Sequence, residues 1–347
     1  MDKGITIKAA IYGGSGYGGS ELLRILLFHP NAEIKLVTAN EHAEKAISSV
    51  HQNLRGLTEL RFSKISDDHK NELCDIDVLF LALPHGHAAE IAPTLPSNVK
   101  VIDLSGDYRL NDADDVIKFY KRENFDAELQ SKFVYGLSET NRETIKRAKY
   151  IANPGCFATA TLLALTPIVS SGLLTGKIIV DAKTGSSGSG AKAAANTHHP
   201  QRSNSFYAYK PFVHQHLPEI EQHLRSACGE LGELIFMTHS LPVSRGIFAS
   251  CYAETSINIT NDDLKKLYEL FYKDSFFVRL VDGSPDINWV KATNFCDIAV
   301  NSNGKQIAVF SAIDNLVKGA AGQAVQNMNI MFGLPETTGL MLTGSNP

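Results

Sequence analysis

A cluster of glycines near the N-terminus constrains the fold of this chain more than any other feature. Residues 13–19 read Gly-Gly-Ser-Gly-Tyr-Gly-Gly, between an apolar run at 5–12 and a leucine-rich run at 20–28. The first run is typical of a buried strand and the second of a helix. In this setting the motif G-x-G-x-x-G, satisfied at positions 14, 16 and 19, lets a dinucleotide pyrophosphate approach the amides at the helix start. The residues expected to contact the cofactor are Gly13, Ser15, Gly16, Tyr17 and Gly18.

The pattern of apolar runs predicts two domains of different architecture. In the first half, buried strands over residues 5–12, 33–38, 78–83 and 99–104 alternate with helical segments. This alternation is typical of an α/β domain with a Rossmann-type, doubly wound parallel sheet. From about residue 155 the strands become longer and the helices fewer, which predicts an α+β domain with a mixed sheet. We expect a dinucleotide-binding domain over 1–153 and a catalytic and oligomerisation domain over 154–315.

The end of the second predicted strand bears on which dinucleotide is bound. An acid there favours NAD by binding the ribose 2′-hydroxyl, and a basic residue favours NADP. Asn40, expected to contact the cofactor, and the adjacent Glu41 leave this choice open. His42 and Lys45 are candidates for contact with a 2′-phosphate.

A second informative stretch predicts a cysteine at the start of a helix. Pro154 and Gly155 break an apolar segment, and a run of good helix formers begins at Cys156. At a helix start the unpaired N–H groups and the positive end of the dipole favour a thiolate over a thiol. A buried structural cysteine is the alternative, but the Asn-Pro-Gly-Cys setting favours a nucleophile.

A cysteine nucleophile usually needs an imidazole partner, and residues 214–216 read His-Gln-His just before a predicted helix. We expect His216 to act as acid and base, with His214 as the second choice. The His-x-His spacing also suits two metal ligands on a strand, but no further Cys, His or Asp cluster stands near, so no metal is expected. Four other histidines are interpreted as exposed or hydrogen-bonded spectators: His29, His51, His69 and His223.

Two further polar segments follow predicted strands. Arg109 lies at the carboxyl end of the fourth strand, where a guanidinium can bind a phosphate or carboxylate through two hydrogen bonds. A surface ion pair with Asp107 or Asp112 is the alternative. The glycine-serine turn around Ser187 and Gly188 forms either a second wall of the cofactor site or a simple bend.

The composition argues against nucleic acids and membranes as partners of this chain. The net charge of −4 shows no basic excess, so neither nucleic acid nor an anionic membrane is an expected partner. The five cysteines are scattered, which indicates neither a disulfide framework nor a zinc site and fits the cytoplasm. No apolar run is long enough for a membrane span, and residues 1–12 do not resemble a signal peptide.

These segments together resemble the N-acetyl-γ-glutamyl-phosphate reductases, a family of the aspartate-semialdehyde dehydrogenase superfamily. The resemblance rests on residues 13–19, 81–87, 103–109, 153–156, 185–192, 214–220 and 312–329. It implies an NADPH-dependent reductase of a small acyl phosphate in arginine biosynthesis, with Asn315 near the nicotinamide end of the cofactor. It also implies that a C-terminal helix, 316–347, returns to the dinucleotide-binding domain.

The chain departs from the family's pattern in three places. Gln215 stands where the family usually has an arginine, and Gly14 stands where it often has alanine. The sister semialdehyde dehydrogenases place their histidine after an Arg-Gly pair, but Ile247 follows that pair here, so the base must come from 214–216. Residues 198–202 resemble lysine-pathway reductases, so an aminoadipyl or glutamyl phosphate bound to a carrier protein is the alternative substrate.

The resulting hypothesis is thioester chemistry. Cys156 attacks the acyl phosphate, Arg109 and Asn153 hold the phosphate, a hydride reduces the thioester, and His216 moves the proton. Two other classes stay open: a cysteine hydrolase, which needs no dinucleotide loop, and a non-catalytic dinucleotide sensor, which needs no helix-start thiol. Self-association as a homodimer or homotetramer is expected, because mixed sheets of this kind often pair across subunits.

Overall fold

A parallel sheet forms from the apolar runs in the first half of the chain. The computed structural model describes residues 5–123 and 125–344, and the strand order of this sheet is β2-β1-β3-β4-β6-β5. All neighbouring pairs are parallel. The strands are β1 (Ile7–Tyr12), β2 (Ala32–Thr38), β3 (Val78–Leu81), β4 (Lys100–Asp103), β5 (Phe133–Tyr135) and β6 (Tyr150–Ala152).

The Rossmann-type prediction is confirmed, and its four strands correspond to β1–β4. Every residue of β3 is buried, as expected for a parallel strand covered on both faces. The prediction missed β5 and β6, which have three residues each. A three-residue strand is too short to show a periodicity.

The second sheet is mixed, which confirms the prediction for the second half. Its order is β11-β12-β10-β7-β9-β8, with parallel pairing in β7/β9 and β11/β12 and antiparallel pairing in the rest. The strands are β7 (Leu174–Thr184), β8 (Tyr207–Tyr209), β9 (Leu234–Ser240), β10 (Ile247–Ile259), β11 (Val278–Leu280) and β12 (Cys296–Ile313).

Helices connect and cover the strands. The α-helices are α1 (Tyr17–Leu26), α2 (Ile47–Val50), α3 (His69–Glu72), α4 (His87–Ile91), α5 (Ala113–Asp115), α6 (Ala127–Gln130), α7 (Ser138–Arg147), α8 (Cys156–Ser170), α9 (His199–Arg202), α10 (His216–Cys228), α11 (Asn261–Phe271), α12 (Ile287–Val290) and α13 (Gly322–Met331). The short helix α9 lies between β7 and β8. None of the described helices is both long and apolar enough to cross a membrane.

The chain divides into two compact units, of which the first is discontinuous. The first unit comprises Met1–Pro154 and Ala320–Met341, and the second comprises Gly155–Gly319 and Leu342–Pro347. Within the first unit, α13 contacts α1, α7 and β4. The second sheet is covered on one face by α8 and α11, and α10 packs on α8.

The C-terminal helix is shorter than predicted. The prediction of one helix over 316–347 is wrong. A π-helical turn at Val317–Ala321 leads into α13, which ends at Met331. Gly333 follows with a φ of +71°, the left-handed conformation that commonly ends a helix. Pro335 comes two residues later and cannot continue it. Residues 345–347 of that prediction lie outside the described part of the chain.

Candidate active site

Cys156 is the first residue of α8, as the Pro-Gly break predicts. Gly155 precedes it in an extended conformation and caps the helix. The thiol residue is partly exposed, whereas the helix behind it, from Phe157 to Val169, is buried. Gly319 forms one wall beside the cysteine, because a Cβ at that position would lie 2.7 Å from the Cβ of Cys156. The thiol therefore sits at the accessible, N-terminal end of an otherwise buried helix.

A carboxylate holds the start of this helix. The backbone N–H of Gly155 donates to Oε1 of Glu219, 2.8 Å away, and Glu219 is fully buried. The buried N–H of the cap residue is thereby paired with a side chain of α10, in the way that the Glu of a capping box pairs with the N–H of the cap residue. Glu219 was not predicted as a functional residue. The available signal was its position three residues after His216, which places both on one face of α10.

His216 lies against the same glycine. It is the first residue of α10 and is buried. A Cβ on Gly155 would overlap the His216 ring at Nε2, so only glycine leaves room for the imidazole there. The two residues that the sequence analysis pairs, Cys156 and His216, are thus joined through Gly155 within the second unit.

His214 has a different environment from His216. Its Nδ1 accepts a hydrogen bond from the backbone N–H of His216 at 3.1 Å. Its ring meets the rings of Phe157, Tyr209 and Phe236 edge-on, at centroid distances of 5.3, 5.7 and 5.7 Å. Burial, followed by the charge of Lys210, lowers the pKa of His214 to about 3. His214 is therefore neutral near pH 7 and is the weaker candidate for a base.

The segment before the two histidines carries a lysine that contacts Gln215. Nζ of Lys210 donates to Oε1 of Gln215 at 2.8 Å. Lys210 and Phe212 both have left-handed backbones, with φ of +46° and +61°. Such strain in residues other than glycine persists only where the surroundings enforce it, and it clusters at functional sites. Lys210 thus places a positive charge next to Gln215.

The glycine loop of the first unit has the features that an anionic cofactor requires. Helix α1 begins at Tyr17 and is capped by Gly16. The structure describes every residue of its first turn, and none of them has an acidic side chain. Space is open at Gly18, where a Cβ would have no neighbour within 4 Å. The helix N–H groups and this open approach fit a dinucleotide pyrophosphate. Asn40, at the end of β2, accepts a hydrogen bond from the N–H of Ile65 at 3.0 Å.

Arg109 is buried, so the alternative of a surface ion pair is wrong. Its Nε donates to the carbonyl of Asn153 and its Nη2 to the carbonyl of Leu104, both at 2.8 Å. The guanidinium thus supports the backbone that leads to the start of α8.

Asn153 is held at both ends of its side-chain amide. Its Nδ2 donates to the carbonyl of Ala320, and its Oδ1 accepts from Nδ2 of Asn327, both at 3.1 Å. Asn327 also donates to the carbonyl of Gly136 at 2.8 Å and accepts from Ser138 at 2.9 Å. This network was not predicted. Its signal in the sequence is the repeated amide side chains of α13, all of which the structure buries: Gln323, Gln326, Asn327 and Asn329.

The second unit brings together two residues predicted to bind the cofactor. Nδ2 of Asn315 donates to Oγ of Ser187 at 2.9 Å, and Oδ1 of Asn315 accepts from the N–H of Gly246 at 2.8 Å. Ser187 and Gly188 lie in a 3₁₀ turn at Ser186–Ser189, so this segment does bend. Within residues 5–123 and 125–344, no group of three or more His, Cys, Asp or Glu side chains is placed to hold a metal ion.

Comparison with known proteins gives matches over nearly the whole chain. Residues 8–148 match the semialdehyde dehydrogenase NAD binding domain, and residues 156–315 match the semialdehyde dehydrogenase dimerisation domain. An N-acetyl-gamma-glutamyl-phosphate reductase of Methanosarcina barkeri is 42% identical over 344 residues, covering 98% of this chain and 100% of that protein.

Solved structures share the fold at low sequence identity. Aspartate semialdehyde dehydrogenase II of Vibrio cholerae, complexed with ASA, has a TM-score of 0.73 and 16% identity, covering 94% of this chain and 98% of that one. Aspartate semialdehyde dehydrogenase of Candida albicans, with NADP, has a TM-score of 0.66 and 12% identity, covering 94% and 98%.

Proposed function

The chain belongs to the semialdehyde dehydrogenase family, and on that premise we propose that it is an NADPH-dependent N-acetyl-γ-glutamyl-phosphate reductase of arginine biosynthesis. The observation that carries the chemistry is the start of α8, where Cys156 follows a glycine that contacts both His216 and Glu219. The identity of 42% to an N-acetyl-gamma-glutamyl-phosphate reductase favours this substrate over an acyl phosphate bound to a carrier protein.

The first chemical step is attack by the Cys156 thiolate on the acyl carbon. A carbon–sulfur bond forms, the carbon–oxygen bond to phosphate breaks, and the product is a thioester on Cys156. Phosphate leaves with the bonding electron pair and takes a proton from water. The backbone N–H groups at the start of α8 are donors for the oxyanion that forms during the attack.

NADPH, when bound, supplies the hydride that reduces the thioester carbon to the level of an aldehyde. The carbon–sulfur bond then breaks, and Cys156 leaves as a thiolate. We assign the proton that the thiol gives up and regains to His216, because this imidazole lies against Gly155, the residue before Cys156. His214 holds His216 through the hydrogen bond to its backbone N–H.

The remaining predicted residues support this chemistry in different ways. We assign Gly13, Ser15, Gly16, Tyr17, Gly18 and Asn40 of the first unit, and Ser187, Gly188 and Asn315 of the second, to the cofactor. Arg109 and Asn153 were expected to hold phosphate. Because Arg109 donates to two backbone carbonyls and the side chain of Asn153 bonds to Ala320 and Asn327, we propose that both position the segment that leads to Cys156.

The outer face of the second sheet supports a homodimer. Ile179 and Tyr252 are register partners on this face, each is 41% exposed, and Ala308 lies opposite Tyr252 on β12. A depression of about 680 Å³ opens at these side chains. A sheet face with exposed apolar side chains inside a dimerisation domain is best covered by the same face of a second copy, and a homotetramer would be a pair of such dimers. The five free cysteines fit a cytoplasmic location.

One assay tests the function directly. The enzyme is supplied with N-acetylglutamate semialdehyde and phosphate, and reduction of NADP⁺ is compared with that of NAD⁺. We expect phosphate-dependent formation of NADPH and a much slower reaction with NAD⁺. A cysteine hydrolase would form no NADPH, and a non-catalytic sensor would bind the cofactor without turnover. Reaction only with a carrier-bound semialdehyde would contradict the assignment.

A further inference from the structure

A histidine outside the proposed chemistry is bonded to the glycine loop. Nε2 of His51, a buried residue, lies 2.7 Å from the carbonyl oxygen of Gly14. Its ring packs edge-on against Phe62, with centroids 6.0 Å apart. A carbonyl oxygen only accepts hydrogen bonds, so Nε2 carries the proton and donates. His51 is therefore hydrogen-bonded to the glycine loop through a donor of its own.

Gly14 is fixed from three directions. Its N–H donates to the carbonyl of Thr38 at 2.8 Å, and its carbonyl accepts from His51. A Cβ on Gly14 would overlap Val37 and lie 3.2 Å from Phe62. An alanine, frequent at this position in the family, would therefore not fit here. The hydrogen bond from His51 restricts rotation of the Gly14–Ser15 peptide.

The orientation of this peptide decides which group the loop presents to an anion. In a trans peptide the carbonyl oxygen and the following N–H point in opposite directions, and the described chain contains no cis peptide. Because His51 holds the Gly14 carbonyl, the N–H of Ser15 points away from His51. A flipped peptide would instead present the Gly14 carbonyl oxygen, whose partial negative charge repels phosphate.

We propose that His51 is a positioning residue for the cofactor: it holds the Gly14–Ser15 peptide so that the Ser15 N–H serves the NADPH pyrophosphate. This rests on the proposed function, because it takes the glycine loop as the NADPH site. This role predicts that substitution of His51 changes the Kd and KM for NADPH but not kcat. Removing the donor weakens NADPH binding and leaves the chemical step at Cys156 intact.

The test compares two substitutions of His51 that differ in the donor. His51→Gln retains an N–H donor of similar reach, and His51→Leu retains bulk against Phe62 without a donor. The matched control is His29→Leu, because His29 is also a buried histidine of the first unit, with Nε2 2.9 Å from Oδ1 of Asn329. The dissociation constant of NADPH is measured by fluorescence titration without substrate, beside KM and kcat, and folding is checked by circular dichroism.

We expect His51→Leu to raise the Kd and KM for NADPH by about tenfold, the scale of one hydrogen bond, with kcat within about twofold of wild type. His51→Gln should return both constants to within about threefold of the wild-type values, and His29→Leu should leave them unchanged.

An unchanged Kd in His51→Leu, or equal weakening of NADPH binding by the Leu and Gln substitutions, would overturn the role of His51 while the wild type stays active. Wild-type protein that fails to bind NADPH would overturn the proposed function as well. If His51→Leu does not fold, His51→Asn, whose donor is too short to reach Gly14, replaces it under the same criteria.

Discussion

Glu219 accepts a hydrogen bond from the backbone N–H of Gly155 at 2.8 Å, and this contact ties the first turn of α10 to the residue before Cys156. Helix α10 also carries His216, whose ring lies against the same glycine. The proposed nucleophile and the proposed base are therefore aligned by one buried contact rather than by the loop between them.

Substitution of Glu219 should separate hydrogen bonding from charge. Glu219→Leu leaves the buried Gly155 N–H without this acceptor, which costs about 1–3 kcal/mol of unfolding free energy. Glu219→Gln keeps an acceptor oxygen and should retain most of that stability. Urea unfolding of the three proteins measures the difference. Equal stability of the Leu variant and the wild type would show that the contact contributes little.

Cys156→Ser should abolish reduction of the acyl phosphate while leaving NADPH binding intact. A hydroxyl at the start of α8 is a far weaker nucleophile than a thiolate, and we expect kcat to fall on the order of 10³-fold or more. Cys228→Ser is the matched control, because Cys228 is also half-buried but lies at the last turn of α10. Activity near wild type in Cys156→Ser would exclude a thioester mechanism.

The two histidines should differ in their effect on turnover. His216→Asn removes the proposed acid and base and should lower kcat by about 10²–10⁴-fold. His214→Phe preserves the aromatic contacts and should cost less, because the pKa of His214, lowered to about 3 by burial and Lys210, keeps it neutral near pH 7. Comparison of kcat at saturating substrate decides between them. A greater loss in His214→Phe would reverse the assignment.

Gly155→Ala tests whether the contact between Gly155 and His216 affects catalysis. The backbone of Gly155 is extended and open to alanine, but the added Cβ would overlap the His216 ring. We expect kcat to fall because the ring is displaced, and we expect little further loss when His216→Asn is added. Independent, multiplicative losses in the double variant would mean that alanine acts in another way.

Asp103 should make the first unit less stable as the pH rises. Burial, followed by the charge of Asp107, raises the pKa of Asp103 to about 7 from an ordinary 3.8. The folded state therefore binds the proton more tightly. The contribution of Asp103 to the free energy of unfolding is fully present below about pH 4, and it is lost as the pH rises through about 7. Asp103→Asn cannot ionise, so its unfolding free energy should fall less than that of the wild type between pH 5 and 8 in urea titrations. Parallel pH curves would contradict this.

Local signals allowed the sequence to predict the glycine loop, the first four strands and the start of α8. Each depends on residues close in the chain, such as the Pro154-Gly155 break before Cys156. The contacts of Glu219 and His51 could not be read in this way, because their partners lie 64 and 37 residues away. A single sequence gives no distances between such positions.

The role of Arg109 could not be predicted from the sequence. Its position at the end of β4 was predicted correctly, but the same position suits a guanidinium that binds phosphate and one that supports the backbone. The decision depends on burial and on the carbonyl groups of Leu104 and Asn153. Neither follows from the spacing of residues.

The first unit is built from two distant parts of the chain, and this constrains how it forms during synthesis. Its closing helix, α13, is buried along its whole length and bonds to Asn153 and His29. A ribosome that has released only residues 1–154 has not yet made those partners. The first unit therefore completes its folding only after residues 155–319 have been translated, and a nascent chain stopped before residue 320 would leave the core beside α1 and α7 open.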